Sequence, residues 1–322
     1  MTGEYTSLVT GAAGFIGSHL CERLLQERHR VIGVDAFTDY YPRAVKEANL
    51  ARLRGESEFR FVEMDLARAD LGPIAAEVDF IFHQAGQPGV RASWGKEFEQ
   101  YLGHNIRATQ LLLEAIKGSA RLRRLVFASS SSVYGQTEDL PLREDSLPRP
   151  YSPYGVTKLA AEQLCSLYHA NHGVPTVALR YFTVYGPRQR PDMSFHRFIQ
   201  AALEDRPIAV HGDGEQTRDF TYVADAVEAN WLALGPRALG QVFNIGGGSR
   251  SSVNQVVASL EEIVGKPIRR ERRPPQPGDV RHTWADATRA REVLGFCPRI
   301  SLREGLARQV DWLVERSGKM ES

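Results

Sequence analysis

The stretch Ser7-Leu8-Val9-Thr10-Gly11-Ala12-Ala13-Gly14-Phe15-Ile16-Gly17 decides the fold. Its first residues predict a buried strand, and residues 18–25 predict the helix that follows directly. Gly11 permits the tight turn, Gly14 lets the backbone approach a pyrophosphate, and Gly17 lets helix and strand pack closely. Free N–H groups at the helix start also favour an anion. The spacing differs by one residue from Gly-x-Gly-x-x-Gly, so alone it also fits any tight strand-to-helix turn.

The same alternation of apolar strand and helix-period segment continues through the first half of the chain. Further candidate strands are residues 31–34, 60–62, 80–82, 125–128, 176–180 and 242–245. Continuous apolar strands of this kind are typical of a parallel sheet that helices cover on both faces. The sequence therefore predicts an α/β fold with a doubly wound, Rossmann-type parallel sheet.

The end of the second predicted strand carries a cofactor signal. Asp35 lies about 20 residues beyond the glycine loop, where a carboxylate accepts both ribose hydroxyls and repels a 2′-phosphate. This position favours NAD over NADP, and its place directly after residues 31–34 favours the cofactor role over the alternative of a helix cap or turn residue. Asp65 and Leu66 follow the third strand and are predicted to contact adenine, with an N-cap as the alternative for the aspartate.

A change in amino-acid composition near Gly186 predicts a second lobe. Loops rich in Pro, Gly and Arg then separate shorter helices. We expect residues 1–185 to form the NAD-binding domain, with residues 220–250 returning to it. Residues 186–219 and 251–316 are expected to form mainly a smaller substrate-binding lobe.

Composition excludes several other classes of protein. The 322 residues carry a formal net charge of +1, which provides no overall field for nucleic acid. No apolar run reaches the roughly 20 residues of a membrane helix, and no signal peptide is apparent, so we expect a cytoplasmic protein. The cysteines Cys21, Cys165 and Cys297 have no metal-ligand spacing, and we expect three core thiols and no metal site.

A second constellation points to proton transfer. Tyr154 and Lys158 stand at positions i and i+4, which places both on one helix face. A nearby ammonium favours the phenolate and would make the tyrosine a usable base near neutral pH. A hydroxyl from the serine run 129–132 would share the proton of the substrate oxygen. Alone, such a pair is common on ordinary helix surfaces, and a serine run is often only a polar turn.

Together these features resemble the extended short-chain dehydrogenase/reductase family, in its nucleotide-sugar epimerase branch. The resemblance spans nearly the whole chain. It includes the segments at residues 127–135, 181–187, 212–214 with 218–220, and 244–247. It implies bound NAD, a UDP-sugar substrate and a homodimer formed through two helices of the main domain.

The resemblance also implies roles for individual residues. Ser130, Tyr154 and Lys158 are expected to be catalytic. The expected cofactor contacts are Gly11, Gly14, Phe15, Ile16, Gly17, Asp35, Asp65, Leu66, Gln84, Ala85, Gly86, Asn105, Tyr154, Lys158 and Tyr181. The expected substrate contacts are Arg91, Ser130, Ser131, Ser132, Thr183, Arg190, Arg218 and Asp279.

Differences between this chain and related enzymes of the same family reduce the number of possible reactions. Related 4,6-dehydratases carry an Asp-Glu pair where this chain has Ser131 and Ser132, and UDP-glucuronate decarboxylases tend to carry Glu at the second position. Epimerases commonly have Asn where this chain has Thr183, and the smaller hydroxyl leaves room for a C6 carboxylate. Arg190 offers that carboxylate a charge-assisted hydrogen bond. Gln276 replaces an arginine common in relatives, which leaves the uridine ribose contacts open.

The segments 35–41 and 89–91 look like those of UDP-glucuronate 4-epimerases. We therefore predict an isomerase, an NAD-dependent 4-epimerase of UDP-glucuronate and UDP-galacturonate that retains the carboxylate. The alternatives are a UDP-glucose or UDP-N-acetylglucosamine 4-epimerase and a UDP-glucuronate decarboxylase. An NAD-sensing protein without catalysis is an alternative of a different class, because a fold alone does not determine function.

Overall fold

A computed structural model describes residues 5–318 of the chain. Its strands are β1 (Thr6–Thr10), β2 (Arg30–Asp35), β3 (Phe59–Glu63), β4 (Phe80–His83), β5 (Arg124–Ser130), β6 (Thr176–Tyr181), β7 (Val184–Tyr185), β8 (Ile208–His211), β9 (Thr217–Asp219), β10 (Thr221–Tyr222), β11 (Val242–Ile245), β12 (Arg250–Ser252) and β13 (Arg270–Arg273). Its helices are α1 (Phe15–Gln26), α2 (Arg43–Leu50), α3 (Gly72–Ala75), α4 (Phe98–Tyr101), α5 (Ala108–Ile116), α6 (Pro153–His172), α7 (Ser194–Leu203), α8 (Val223–Leu232), α9 (Val253–Val264) and α10 (Leu302–Gly318).

Seven strands form one parallel sheet in the order β11-β6-β5-β4-β1-β2-β3. The order reverses between β1 and β4, and the carboxyl ends of strands beside such a reversal form the ligand crevice of open α/β sheets. The predicted α/β fold with a doubly wound sheet is confirmed, and each candidate strand lies within an observed one.

The two faces of the sheet pack against different sets of helices. Alternate strand residues point to opposite faces, so Val9 joins one hydrophobic cluster and its neighbour Leu8 the other. The first cluster includes α1 and α8 residues, and the second includes residues of α5 and α6. The strands are thus apolar on both sides, which explains why the sequence shows continuous runs and no alternation.

Three short two-stranded sheets lie outside the main sheet: β7 with β10, β9 with β12, and β8 with β13. Most of their residues fall in the segments expected to form a substrate-binding lobe, while β11 extends the main sheet next to β6. The exact division of the chain into lobes stays a prediction.

Among the cysteines, one expectation is wrong. Cys21 and Cys165 are buried, whereas Cys297 is exposed. Cys297 follows the buried Phe296 in an irregular segment before α10, where the next side chain points away from the core. Among residues 5–318, no helix is long and apolar enough to cross a membrane.

Candidate active site

The glycine loop is shaped by contacts that leave no room for side chains. A Cβ on Gly17 would collide with the carbonyl oxygen of Gly11, and one on Gly11 would lie 2.9 Å from the backbone nitrogen of Ala85. Gly11 also has a φ of +70°, which L side chains rarely adopt. The loop, the start of α1 and the end of β4 therefore approach each other closely at the reversal of the strand order.

A cleft opens at this point and encloses about 1180 Å³, part of it open to solvent. Every residue expected to contact the cofactor, from Gly11 to Tyr181, lines it. A dinucleotide needs a long cleft of this kind at the carboxyl ends of the strands, with a helix N-terminus for its pyrophosphate. The residues present therefore fit a bound NAD, although each individual contact stays a prediction.

Asp35 connects the glycine loop to the segment that follows β2. Its carboxylate accepts hydrogen bonds from the backbone N–H groups of Ala13, at 3.2 Å, and Phe37, at 2.9 Å. Burial raises the pKa of Asp35, and the nearby Lys46 opposes that change. The residue is thus a turn residue as well as a cleft residue, so the two interpretations of the sequence are compatible.

Sequence reasoning missed Lys46, which lines the same end of the cleft. Its ammonium lies 3.8 Å from the Asp35 carboxylate and donates to the Thr38 carbonyl at 2.8 Å. The side chain is only 5% exposed, so this cation is held in place beside the expected ribose site. No motif in a single sequence identifies a lysine in the middle of a helix as a cleft residue.

Asp65 shows the same double character as Asp35. Its carboxylate accepts from the backbone N–H of Ala67 at 2.9 Å, as an ordinary turn aspartate does, and it also lines the cleft. His104 lies 3.8 Å from it and lines the cleft as well. The histidine was not predicted from the sequence.

Asn105 organises the loop that follows β4. Its side-chain oxygen accepts from the Gln87 N–H at 2.7 Å, and its amide nitrogen donates to the Gln87 carbonyl and to the Thr157 hydroxyl. A Cβ on Gly86 would lie 2.9 Å from that side-chain oxygen. Asn105 thus fixes the loop against α6, the helix that carries Tyr154 and Lys158.

Helix α6 begins at Pro153 because Ser152 caps it, with the serine hydroxyl accepting from the Gly155 N–H at 3.1 Å. The cap places Tyr154 in the first turn and Lys158 one turn later, and both line the cleft. A hydrogen bond joins the Tyr154 hydroxyl to Ser130 at the end of β5. The structure therefore brings the three expected catalytic residues to one place.

Burial and neighbouring groups shift the pKa values of both Tyr154 and Lys158. Desolvation raises the pKa of Tyr154, while the hydrogen bond from Ser130 and the charge of Arg190 lower it. Lys158 is buried, and desolvation lowers the pKa of its ammonium to about 8. Arg190 is thus a further cation close enough to favour the phenolate, a role for which the sequence had singled out only Lys158.

The neighbouring serine has a separate role. Ser129 donates to the buried carboxylate of Glu162 at 2.6 Å, which in turn forms an ion pair with Arg180. Ser130 instead reaches Tyr154 and accepts from the Ser132 N–H at 3.1 Å. The two serines alternate across the sheet, so only one of them faces the tyrosine.

The remaining expected substrate residues form two groups. Ser131 and Ser132 follow β5 and Thr183 follows β6, and these adjacent strands end at the same edge of the sheet, where Ser130 pairs in register with Tyr181. Arg190 lines the cleft near Tyr154 and forms an ion pair with Asp192.

The second group consists of Arg91, Arg218 and Asp279, and of both groups only Arg190 is among the residues that line the cleft. Arg91 and Asp279 form an ion pair at 2.6 Å although 188 positions separate them in the chain. Arg218 is close enough for both charges to affect its pKa, which desolvation lowers. This cluster joins the two predicted lobes and offers two guanidinium groups to an anionic ligand.

Comparison with known proteins agrees with this arrangement. A model of the "NAD dependent epimerase/dehydratase family" matches residues 7–246. The chain is 40% identical to a UDP-glucuronate 4-epimerase of Thermodesulfobacterium geofontis, over 96% of each chain. It is 47% identical to an uncharacterized UDP-glucose epimerase, YtcB, of Bacillus subtilis, over 95% of this chain and 97% of the relative.

A solved structure with the same fold is a UDP-glucuronic acid 4-epimerase from Bacillus cereus in complex with UDP-glucuronic acid and NAD. It is 45% identical, with a TM-score of 0.94, and the match covers 97% of this chain and 99% of the other. The family predicted from the sequence is thus confirmed. The chain belongs to the NAD dependent epimerase/dehydratase family.

Proposed function

We propose that this protein is an NAD-dependent 4-epimerase that interconverts UDP-glucuronate and UDP-galacturonate without loss of the carboxylate. The observation that carries the proposal is the presence of Arg190 in the same cleft as Tyr154 and Lys158. A guanidinium beside the catalytic tyrosine suits a sugar that bears a carboxylate. The relatives from Thermodesulfobacterium geofontis and Bacillus cereus, named for this reaction, support the same substrate.

The glycine loop, Asp35 and Lys46 would hold the adenosine half of the cofactor, and Tyr154 and Lys158 the nicotinamide half. When bound, NAD accepts the hydride from C4 of the sugar and later returns it to the opposite face. The carboxylate of Asp35 at the ribose position favours NAD over a cofactor with a 2′-phosphate.

Tyr154 carries the proton chemistry in this scheme. Its phenolate removes the proton of the C4 hydroxyl, and the same oxygen returns a proton when the 4-keto sugar is reduced. Ser130, which is hydrogen-bonded to Tyr154 in the protein alone, would donate a hydrogen bond to the reacting oxygen of the bound sugar. Between the two half-reactions the keto sugar turns, so that its other face meets the cofactor and C4 is inverted.

The intermediate from a uronate is a β-keto acid, which loses carbon dioxide when the bond to the carboxylate aligns with the carbonyl π system. We assign Ser131, Ser132, Thr183 and Arg190 to hold the carboxylate away from that alignment. Thr183→Ala and Arg190→Ala are each expected to raise the fraction of pentose product, measured by chromatography of the nucleotide sugars. Normal affinity with no rise in pentose in both variants contradicts this assignment.

The decisive experiment incubates the purified holoenzyme separately with UDP-glucuronate, UDP-glucose and UDP-N-acetylglucosamine, and resolves the C4 epimers and any pentose. Conversion of UDP-glucuronate with a kcat/KM at least about tenfold above both neutral sugars is expected, from the charge-assisted hydrogen bond to Arg190. Equal or faster conversion of a neutral sugar rejects the substrate, and the absence of any turnover with NAD bound favours the NAD-sensing alternative.

A neutral-sugar 4-epimerase is the second candidate. One observation favours it: Asp192 already pairs with Arg190, which reduces the positive charge available to a uronate. The relative from Bacillus subtilis is named for UDP-glucose. The same three-substrate experiment separates the two candidates.

We also propose that the protein is a cytoplasmic homodimer. Val156 and Leu167 on α6 are 49% and 54% exposed, and their spacing of 11 residues places them on one helix face. A second copy would cover such a face. Light scattering should give twice the 36.0 kDa chain mass, and Leu167→Glu should shift the protein toward the monomer.

A further inference from the structure

Arg190, which lines the cleft, forms an ion pair with Asp192 of the same short segment. In the segment between β7 and α7, the Nε of Arg190 donates to Oδ1 of Asp192 at 3.0 Å, and its Nη2 donates to Oδ2 at 3.1 Å. The arginine side chain is 19% exposed and the aspartate 34%. The aspartate thus binds the Nε and Nη2 edge of the guanidinium with both oxygens.

The guanidinium keeps free donors on its other edge. A guanidinium has five N–H groups, and the carboxylate of Asp192 takes one from Nε and one from Nη2. In the described part of the chain, Nη1 of Arg190 has no hydrogen-bond partner. Arg190 can therefore bind a second carboxylate while it remains paired with Asp192.

Asp192 also accepts a hydrogen bond from a residue of the cleft wall. The Tyr40 hydroxyl donates to its Oδ2 at 3.4 Å, and Tyr40 lines the cleft. Burial raises the pKa of Tyr40 to about 12, so this phenol remains a donor at neutral pH. The segment after β2 therefore restrains the acid that pairs with Arg190.

This arrangement makes two anions share one cation. A uronate bound at the free edge of Arg190 would lie within a few ångströms of the Asp192 carboxylate. Two negative charges this close repel each other strongly in a partly buried site. Lys46, another cation of the cleft, is engaged by Thr38 and Asp35. The grip of Arg190 on a substrate carboxylate is thus weaker than an unpaired arginine would give.

We propose that Asp192 is a positioning residue that limits how tightly Arg190 holds the uronate, so that the keto sugar can turn. This inference rests on the proposed function. Inversion at C4 requires the sugar to present its other face, and the carboxylate must leave one position and be bound in another. A contact that stabilises the bound substrate but is broken while the keto sugar turns lowers KM. The same contact slows turnover, because its energy must be given up during the turn.

The test removes the charge and keeps the shape. Binding is measured in the Tyr154→Phe background, where turnover is slow, by calorimetry on the NAD-bound protein. Adding Asp192→Asn to this background should lower the dissociation constant for UDP-glucuronate about tenfold. The dissociation constant for UDP-glucose should be the same in both proteins, because its neutral sugar does not meet the charge. With Tyr154 intact, Asp192→Asn should lower both KM and kcat for UDP-glucuronate.

Asp145→Asn is the matched control. Arg143 and Asp145 form the same two-bond pair at positions i and i+2, at 3.0 and 3.2 Å, in an exposed segment whose residues do not line the cleft. This variant should leave the dissociation constants for UDP-glucuronate and UDP-glucose unchanged. Asp192→Glu, which restores the charge, should return the affinity for UDP-glucuronate toward that of the parent.

An unchanged or weaker affinity of Asp192→Asn for UDP-glucuronate overturns the proposal, as does an equal change for both sugars. A tighter uronate complex with undiminished kcat overturns the link to turning. If the wild-type protein does not convert UDP-glucuronate at all, the proposed function fails first, and the two failures are therefore distinguishable.

Discussion

Lys158 has an ammonium that the folded protein holds at an energetic cost. It is 6% exposed, and desolvation lowers its pKa from 10.5 to about 8, with Cys165 and Glu162 opposing that change. Its nitrogen lies 4.5 Å from the centre of the Phe127 ring, a contact that compensates only part of the lost hydration. This conflict between stability and placement is typical of a functional residue.

Lys158→Met is expected to raise the free energy of unfolding by about 3 kcal/mol at neutral pH, as an upper estimate from the pKa difference. A lowered lysine pKa destabilises the fold fully below pH 8, where both states are charged. The destabilisation fades as the pH rises from about 8 to 10.5, because the folded state loses its proton first. Urea unfolding across this range checks the sign.

Lys117→Met serves as the control, since Lys117 is exposed and forms an ion pair with Glu114 at the protein surface. It should not reproduce the convergence of variant and parent between pH 8 and 10.5. A Lys158→Met protein less stable than the parent at pH 7 would mean that Phe127 and the nearby charges compensate the ammonium fully.

Tyr154→Phe is expected to lower kcat by about 10²–10⁴-fold, the range for loss of a general acid-base group. The ring remains in place beside Tyr101, whose centroid lies 6.3 Å away, so cofactor binding should persist. Stopped assays give the rate, and release of the bound nucleotide by denaturation gives the cofactor content. A rate within tenfold of the parent would assign the proton transfer to another group.

At the scale of elements, the contact between β1, the glycine loop and α1 depends on a missing side chain. Gly17→Ala would drive a methyl group into the Gly11 carbonyl. We expect a loss of about 1–3 kcal/mol in unfolding free energy, as for other overpacked sites, together with lower NAD content. Both quantities are measured on the same preparation.

Gly103→Ala is the matched comparison, because Gly103 lies in the π-helical segment Leu102–Arg107 between α4 and α5 and a Cβ there meets nothing within 4 Å. It should increase stability by up to about 1 kcal/mol through helix propensity. If both variants behaved alike, the close packing at Gly17 would not be the reason for a glycine there.

At the scale of the whole molecule, a buried polar network joins the sheet to α6. Arg180 on β6 binds Glu162 on α6 at 2.6 Å, with side chains 4% and 1% exposed, and also donates to the Tyr134 hydroxyl. Tyr134 in turn donates to Asn244 on β11 at 2.6 Å. The returning strand is therefore tied to the strand that carries Ser129 and Ser130.

Arg180→Met is expected to cost about 3–5 kcal/mol, because it leaves the Glu162 carboxylate buried without a counter-charge. The double variant Arg180→Met/Glu162→Gln should recover part of that loss. Arg60→Met breaks the exposed pair with Glu77 and should cost less than about 1 kcal/mol. Chemical unfolding measures the free energy of unfolding of all three variants. Equal losses of stability in Arg180→Met and Arg60→Met would show that burial of the ion pair does not matter.

The sequence by itself determined the sheet, the glycine loop and α6, because these depend on local patterns. Apolar runs define the strands, Gly11, Gly14 and Gly17 define a turn, and Ser152-Pro153 starts a helix. The i and i+4 spacing of Tyr154 and Lys158 then follows from helix geometry. Neighbouring residues in the sequence are therefore enough to predict where a strand or helix begins and which of its residues share a face.

Only the tertiary structure decided which distant groups meet. It placed Lys46 beside Asp35, joined Arg91 to Asp279 across 188 positions, and exposed Cys297. It also placed the charge of Arg190 near Tyr154, where it lowers the pKa of the phenol, and it buried Lys158, which lowers the pKa of the ammonium. Charge and burial depend on what packs around a residue, and that surrounding comes from elements far apart in the chain.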